Sequence, residues 1–174
     1  AVMPIFETIP GEFYKSSDRK RFLLVRLQNS ETDKRMVLSR GSSDFLKALF
    51  EVEVPEIATG SVEIMEIARE AGSRSKVAVL SKHEKVDAIG ACVGPRGTRI
   101  DSIMSEMTPE KVDIILYDPE IRNFIINALS PAKVINIKLN EEDKAAVVLV
   151  EEDMLSLAIG KDGQNVRLAA KLTG

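Results

Sequence analysis

The chain has one cysteine, one histidine, two tyrosines and no tryptophan in 174 residues. A lone Cys92 excludes an internal disulfide framework and any zinc site built from several thiolates. The lone His83 excludes a histidine-pair metal centre and leaves Cys92 without the partner a thiolate nucleophile needs, so Cys92 reads as a small buried hydrophobe. No apolar run approaches the roughly 18–20 residues that span a bilayer, and no signal-peptide pattern opens the chain. These absences lead us to expect a cytoplasmic chain with no membrane contact, no cofactor and no metal. Apolar residues make up 44%, enough for packed cores and too many for wholesale disorder.

An excess of positive charge is also missing: the formal net charge is −3. Its distribution matters more than its total. Between Ala68 and Ile100 stand Arg69, Arg74, Lys76, Lys82, Lys85, Arg96 and Arg99 against Glu70, Glu84 and Asp87. That stretch carries +4 and the remainder −7. A local basic face is compatible with a polyanion ligand even when the whole chain is acidic. The acidic triplets Glu141-Glu142-Asp143 and Glu151-Glu152-Asp153 read as solubilising turn and helix-start residues rather than as a cation site.

What the chain does have is a glycine-bounded corner used twice. Val93-Gly94-Pro95-Arg96-Gly97-Thr98-Arg99-Ile100 returns in outline, 66 residues later, as Ile159-Gly160-Lys161-Asp162-Gly163-Gln164-Asn165-Val166. Each copy has a β-branched residue, Gly-x-x-Gly with a basic residue inside, a polar pair and another β-branched residue. Glycine at both ends lets a sugar–phosphate backbone come close because no Cβ intervenes. Such a turn is also expected to leave backbone N–H groups and the first turn of the next helix facing an anion.

The surrounding elements repeat too. Phe45, Leu46, Leu49 and Phe50 mark a helix that ends near Pro55. Residues 61–68 and 76–80 read as strands about the turn Ala71-Gly72-Ser73. Residues 86–93 read as a short helix before the first corner. After it, Ile100, Ile103, Met104 and Met107 lie on one helical face, and Val112, Ile114 and Leu116 alternate as a strand. The order then restarts. Asp118 is expected to cap a helix with Pro119 at its first position, which Ser130-Pro131 ends. Residues 134–139 and 146–150 are expected strands about the turn 140–143. Asp153 is expected to cap a short helix to Ile159, and a helix through Lys171 follows the second corner. No counterpart of the strand at 111–117 follows, and we expect a second unit lacking its closing strand. The first forty residues differ: 21–28 and 34–40 read as a hairpin about the turn 29–33.

The order helix–strand–strand–helix–GxxG–helix–strand resembles the KH module of bacterial (type II) topology, whose loop grips about four nucleotides. Longer strings are more particular: residues 45–57, 67–74, 90–97, 127–134 and 155–172 resemble the NusA family of bacterial transcription factors. The fold that resemblance implies is α+β: two tandem type II KH domains preceded by an incomplete all-β OB barrel of the S1 type. Domain bounds are expected at 1–40 for the end of the barrel, 41–117 for the first KH domain and 118–174 for the second. The chain then reads as a fragment cut at both ends.

The function implied is non-enzymatic. This would be the RNA-binding region of an elongation factor that binds nascent single-stranded RNA and modulates polymerase pausing, termination and antitermination. Implied partners are that RNA and, through the full-length protein, RNA polymerase and other elongation and antitermination factors; the chain itself is expected to be monomeric. The residues expected to bind RNA are Arg74, Lys76, Val93, Gly94, Pro95, Arg96, Gly97, Thr98, Arg99 and Ile100 in the first unit. In the second they are Ile159, Gly160, Lys161, Asp162, Gly163, Gln164, Asn165 and Arg167. With few aromatics for stacking, base contact would fall to Val93, Ile100, Ile159 and Val166.

Other readings exist. Arg69–Lys76 is equally a solvated hairpin turn; the corners have a plain helix–turn–helix bend as their alternative, which the second copy disfavours. The alternative within the same class is a KH module of a ribosomal or RNA-processing protein. A nucleotide-using enzyme is disfavoured, since neither loop continues as Lys-Ser/Thr nor opens a G-x-G-x-x-G helix. On sequence grounds Gly94→Asp or Gly160→Asp should remove most RNA affinity while the circular dichroism spectrum stays native.

Overall fold

The computed structural model describes residues 1–29, 34–140 and 142–174. The first repeat is built as its periodicity dictates. Ser42 accepts a hydrogen bond from the Phe45 amide at 3.2 Å and so starts α1 (Ser43–Glu53). Phe45, Leu46, Leu49 and Phe50 of α1 are all buried. Pro55 sits where its missing N–H does no harm, at the start of α2 (Pro55–Ala58). Strands β3 (Val62–Glu70) and β4 (Arg74–Ser81) pair antiparallel, and β5 (Lys111–Leu116) adds parallel to β4. Between β4 and β5 lie α3 (Ala88–Val93) and α4 (Thr98–Glu106), with the first glycine corner between them.

The second repeat follows the same order through α5 (Ile121–Ala128), β6 (Val134–Asn140), β7 (Ala145–Val150), α6 (Leu155–Ile159) and α7 (Gln164–Thr173). Strands β6 and β7 form a two-stranded antiparallel sheet. Two expected caps are corrected. Helix α5 starts three residues after Asp118, because Glu120 reaches forward to accept from the amides of Arg122 and Asn123. Asp118 instead accepts from the Glu120 amide, which leaves Pro119 outside the helix. Asp153 lies within a 3₁₀ turn (Glu152–Met154), and α6 begins with no side-chain cap. Of the two expected polar turns, residues 30–33 and 141 lie outside the described residues.

The β3–β4–β5 sheet is buried on both faces. On one side Val62, Val77, Val79 and Val112 meet Phe45, Leu49, Phe50, Ile103 and Met107 of the first unit's helices. On the other, Ala68, Ala78 and Ile115 meet Phe124, Ala128 and Leu129 from α5 and its end, and Leu168, Ala169 and Leu172 from α7. The second unit's helices therefore close the back of the first unit's sheet. Two-sided cover explains why β4 is buried without alternation from Ser75 to Val79. It also makes Lys76 an interior residue.

The N-terminal region forms a hairpin of β1 (Leu23–Asn29) and β2 (Lys34–Ser39), joined by a parallel bridge from Val2 to Val37. Among the described residues it closes no barrel. It is fastened to the first unit by Arg40, whose side chain is fully buried. The guanidinium donates to Glu12 Oε1 and Oε2 at 2.7 and 2.8 Å and to Glu106 Oε1 at 2.8 Å, between the rings of Phe22 and Phe45. Burial alone raises the Glu12 pKa, but hydrogen bonds from Arg40, Lys20 and Tyr14 outweigh it and hold the carboxyl at about 2 instead of 4.5. The stability Glu12 contributes is complete above about pH 4.5 and lost as the pH falls through about 2. Removing Arg40 takes the doubly bonded partner from Glu12, leaving it Lys20, takes one from Glu106, and empties the space between the Phe22 and Phe45 rings. Arg40→Ala is therefore expected to lower unfolding free energy by about 3–5 kcal/mol in urea titrations at neutral pH; a loss under about 1 kcal/mol would contradict this role.

Candidate nucleic-acid interface

The two glycine corners have the same backbone. Gly94 and Gly160 stand at φ 75°, ψ 171° and φ 76°, ψ 169°. The third positions, Arg96 and Asp162, are left-handed at φ 55° and 53°, and the closing Gly97 and Gly163 at φ 79° and 73°. Asp tolerates that region better than most residues, whereas Arg there carries a strain of about 1 kcal/mol. The four glycines are not equivalent. A Cβ on Gly94 would stand 2.6 Å from Arg99 Cγ, and one on Gly160 2.7 Å from the Asn165 amide nitrogen. At Gly97 and Gly163 the nearest atoms are 3.6 and 3.9 Å away, in open surroundings. The first glycine of each corner is required both by φ and by packing behind it, the second by φ alone.

The expectation of bare amides is narrowed: the closing amides of each corner are engaged by the turn's own hydrogen bonds. Gly97 N–H donates to Gly94 O at 3.1 Å, and Thr98 N–H to Pro95 O. Gly163 N–H donates to Gly160 O at 3.2 Å, and Gln164 N–H to Lys161 O. What each corner offers a polyanion is thus close approach, the start of α4 or α7, and its own cation. Arg96 and Lys161 are exposed and make no ion pair among the described residues.

The other candidate cations are engaged. Lys76 is a correction: its ammonium is fully buried, donates to Ser130 O at 2.9 Å and faces Asp113 at 3.5 Å. Burial pushes its pKa down, and Asp113 partly restores it. Arg74 grips Asp113 with two bonds of 2.7 and 2.8 Å, which raises its already high pKa. Arg69 is locked to Glu110 in the interior. Arg99 donates to Glu56 Oε2 at 2.8 Å and to Ala91 O at 2.6 Å. Arg167 grips Glu70 at 2.6 and 3.0 Å, while Gln164 donates to Glu70 and to Ser73 Oγ. The Arg167 hydrogen bonds hold Glu70 at about 2, so this tie between the units persists above about pH 4.5 and is lost as the pH falls through about 2. Asn165 is buried and donates to Leu129 O and Ala158 O.

Beside the first corner lies a cleft of about 340 Å³ lined by Ile89 and Val93 of α3, Ile100 and Met104 of α4, and Val112 and Ile114 of β5. Arg74, Asp113, Ser130 and Pro131 form its polar wall. Val93, Ile100 and Arg74 were expected there; Ile89, Met104 and the partner Asp113 were not. The alternation of Val112 and Ile114 was the available signal, since residues two apart on a strand share one face and line one wall. Thr98 stands exposed at the start of α4. In the second unit Ile159 is exposed, whereas Val166 lines a separate apolar cleft of about 480 Å³ among α5, β6, β7 and α7. No group of residues suited to hold a metal ion and no helix long and apolar enough to cross a membrane occurs among the described residues.

The glycine contacts overturn the expectation that aspartate at Gly94 or Gly160 leaves the fold untouched. Gly160→Ala is expected to destabilise by about 1–3 kcal/mol more than Gly163→Ala, because its Cβ meets backbone that cannot yield. Thermal unfolding of the two variants checks this, and equal losses would contradict it.

Residues 40–117 match the family model of the NusA-like first KH domain, and residues 121–174 that of the NusA-like second KH domain. Curated proteins named transcription termination/antitermination protein NusA are similar along the whole chain. That of Bacillus subtilis is 47% identical over 174 residues, covering 100% of this chain and 47% of that protein. The Thermus thermophilus protein is 50% identical over 174 residues, 100% of this chain and 45% of that protein. The Halalkalibacterium halodurans protein is 45% identical, again over 100% of this chain and 46% of that protein. The shared name is that of a transcription factor and denotes no enzyme. The chain spans just under half the length of these relatives, and with both KH domains matched in tandem it belongs to the NusA family.

Proposed function

We propose that the chain is the RNA-binding region of a transcription elongation factor and holds nascent single-stranded RNA across both glycine corners. One observation carries this: two corners of matching backbone angles each present a free cation, Arg96 and Lys161, while Arg69, Arg74, Lys76, Arg99 and Arg167 are engaged within the protein. A phosphate drawn to Arg96 brings its nucleotide to the apolar cleft between α3, α4 and β5, where bases lie against Val93, Ile100 and Met104. The chain then continues to Lys161. Because the first contact raises the effective concentration for the second, the two corners act together.

In this reading residues 41–117 and 118–174 are the two KH domains, and 1–40 is the end of an S1-type barrel. The activity is binding, with no chemistry of its own. Acting as a cytoplasmic monomer within the full-length protein, the region influences polymerase pausing, termination and antitermination together with RNA polymerase and other elongation factors.

Arg96→Asp and Lys161→Asp alter exposed tips without internal partners, so the circular dichroism spectrum is expected to stay native. Each lost charge-assisted contact is worth about 1.5–3 kcal/mol, so each variant should weaken binding of a short unstructured RNA about tenfold or more. The slope of log affinity against log salt should fall by about 0.7 per contact. Wild-type affinity in both variants would remove the proposal. Titration with ATP or NAD is expected to release no heat, and saturable heat would favour a nucleotide-using site instead.

A further inference from the structure

We propose that Arg99 and Asn165 are positioning residues that set the two glycine corners from behind, and that neither is a phosphate ligand. The inference rests on the reading of those corners as RNA contacts and names what holds them in shape. Each residue stands five positions after the first glycine of its corner. Each passes directly behind that glycine, close enough that any Cβ there would collide with it. Each then returns to the helix before the corner: Arg99 donates to Ala91 O near the end of α3 at 2.6 Å, and Asn165 to Ala158 O near the end of α6 at 3.0 Å. Carbonyls in a helix's last turn lack intrahelical partners, so one side chain satisfies that end and braces the start of the following helix against it.

A second anchor differs between the units, for a structural reason. The first unit has α2, which supplies Glu56, and its carboxylate accepts from Arg99 at 2.8 Å. The second unit passes from α5 to β6 with no helix in that place, and Asn165 takes the Leu129 carbonyl at 3.1 Å instead. A charged brace against an acid and a neutral brace against a carbonyl thus do the same work. Asn165 is 5% exposed, which leaves it no face for a ligand. If Arg99 were a phosphate ligand, Glu56 would compete with RNA for it. If Arg99 is a brace, Glu56 helps RNA by holding it. The two roles therefore give opposite signs for the loss of Glu56.

The test measures the affinity of a short unstructured oligoribonucleotide across a salt series, well below the unfolding temperature, for Glu56→Gln, Arg99→Gln and Arg96→Gln. Glu56→Gln is expected to weaken binding several-fold, although it removes a negative charge, and to leave the salt slope unchanged. Arg99→Gln should weaken binding with the same unchanged slope, whereas Arg96→Gln should flatten the slope by about 0.7. In the free Glu56→Gln protein the Gly94 and Arg96 amide resonances should shift, a change that a loss of global stability alone does not produce. Tighter binding by Glu56→Gln, a flatter slope in Arg99→Gln, or wild-type affinity in both overturns the proposal. Wild-type affinity and slope in Arg96→Gln would instead overturn the RNA reading of the corner, and this inference with it.

Discussion

One sheet, closed on both faces, is the constraint from which the rest of the arrangement follows. Strands β3, β4 and β5 carry the first unit's helices on one side and α5 and α7 of the second unit on the other. Helix α4 leaves the first corner and α7 leaves the second, so both corners are fixed to the same three strands. Hydrogen bonds at the edge reinforce this: Gln164, next to the second corner, and Arg167 both hold Glu70 at the end of β3. Two-sided burial requires every polar group inside to be partnered, and the Lys76, Arg69 and Glu110 side chains comply.

That requirement also distributes the charge. Most cations in the basic stretch are held in ion pairs, whereas Arg96 and, in the second unit, Lys161 make none among the described residues and stand on the corner tips. The corners are built to be approached. Their closing amides are spent on the turns, their first glycines give way to a side chain from behind, and their second glycines allow a left-handed bend in the open. In the function proposed, recognition divides between a cation at each tip and, in the first unit, an apolar cleft beside it.

Much of the fold was legible in the sequence because it depends on local patterns. Helical spacing from Phe45 to Phe50, strand alternation at Val112–Leu116 and the doubled Gly-x-x-Gly all act over a few residues. What was not legible depends on partners far along the chain. Lys76 looks like a surface cation until Ser130, 54 residues away, is brought over it. Arg99 looks like a phosphate ligand until Glu56, 43 residues earlier, is seen beside it. The unbroken apolar run Val77-Ala78-Val79-Leu80 was the hint that both faces of β4 are covered. Expected caps at Asp118 and Asp153 failed because Glu120 reaches two amides that Asp118 does not, and because a 3₁₀ turn precedes α6.

The central claim is that RNA lies across both corners of one sheet-centred body. The most direct measurement is a chemical-shift map of the amide-labelled chain titrated with a short unstructured oligoribonucleotide. The account predicts that the largest changes fall on residues 93–100 and 159–164, together with Ile89, Met104 and Ile114 of the cleft. Saturable binding that leaves both corners unperturbed and moves resonances elsewhere would contradict it.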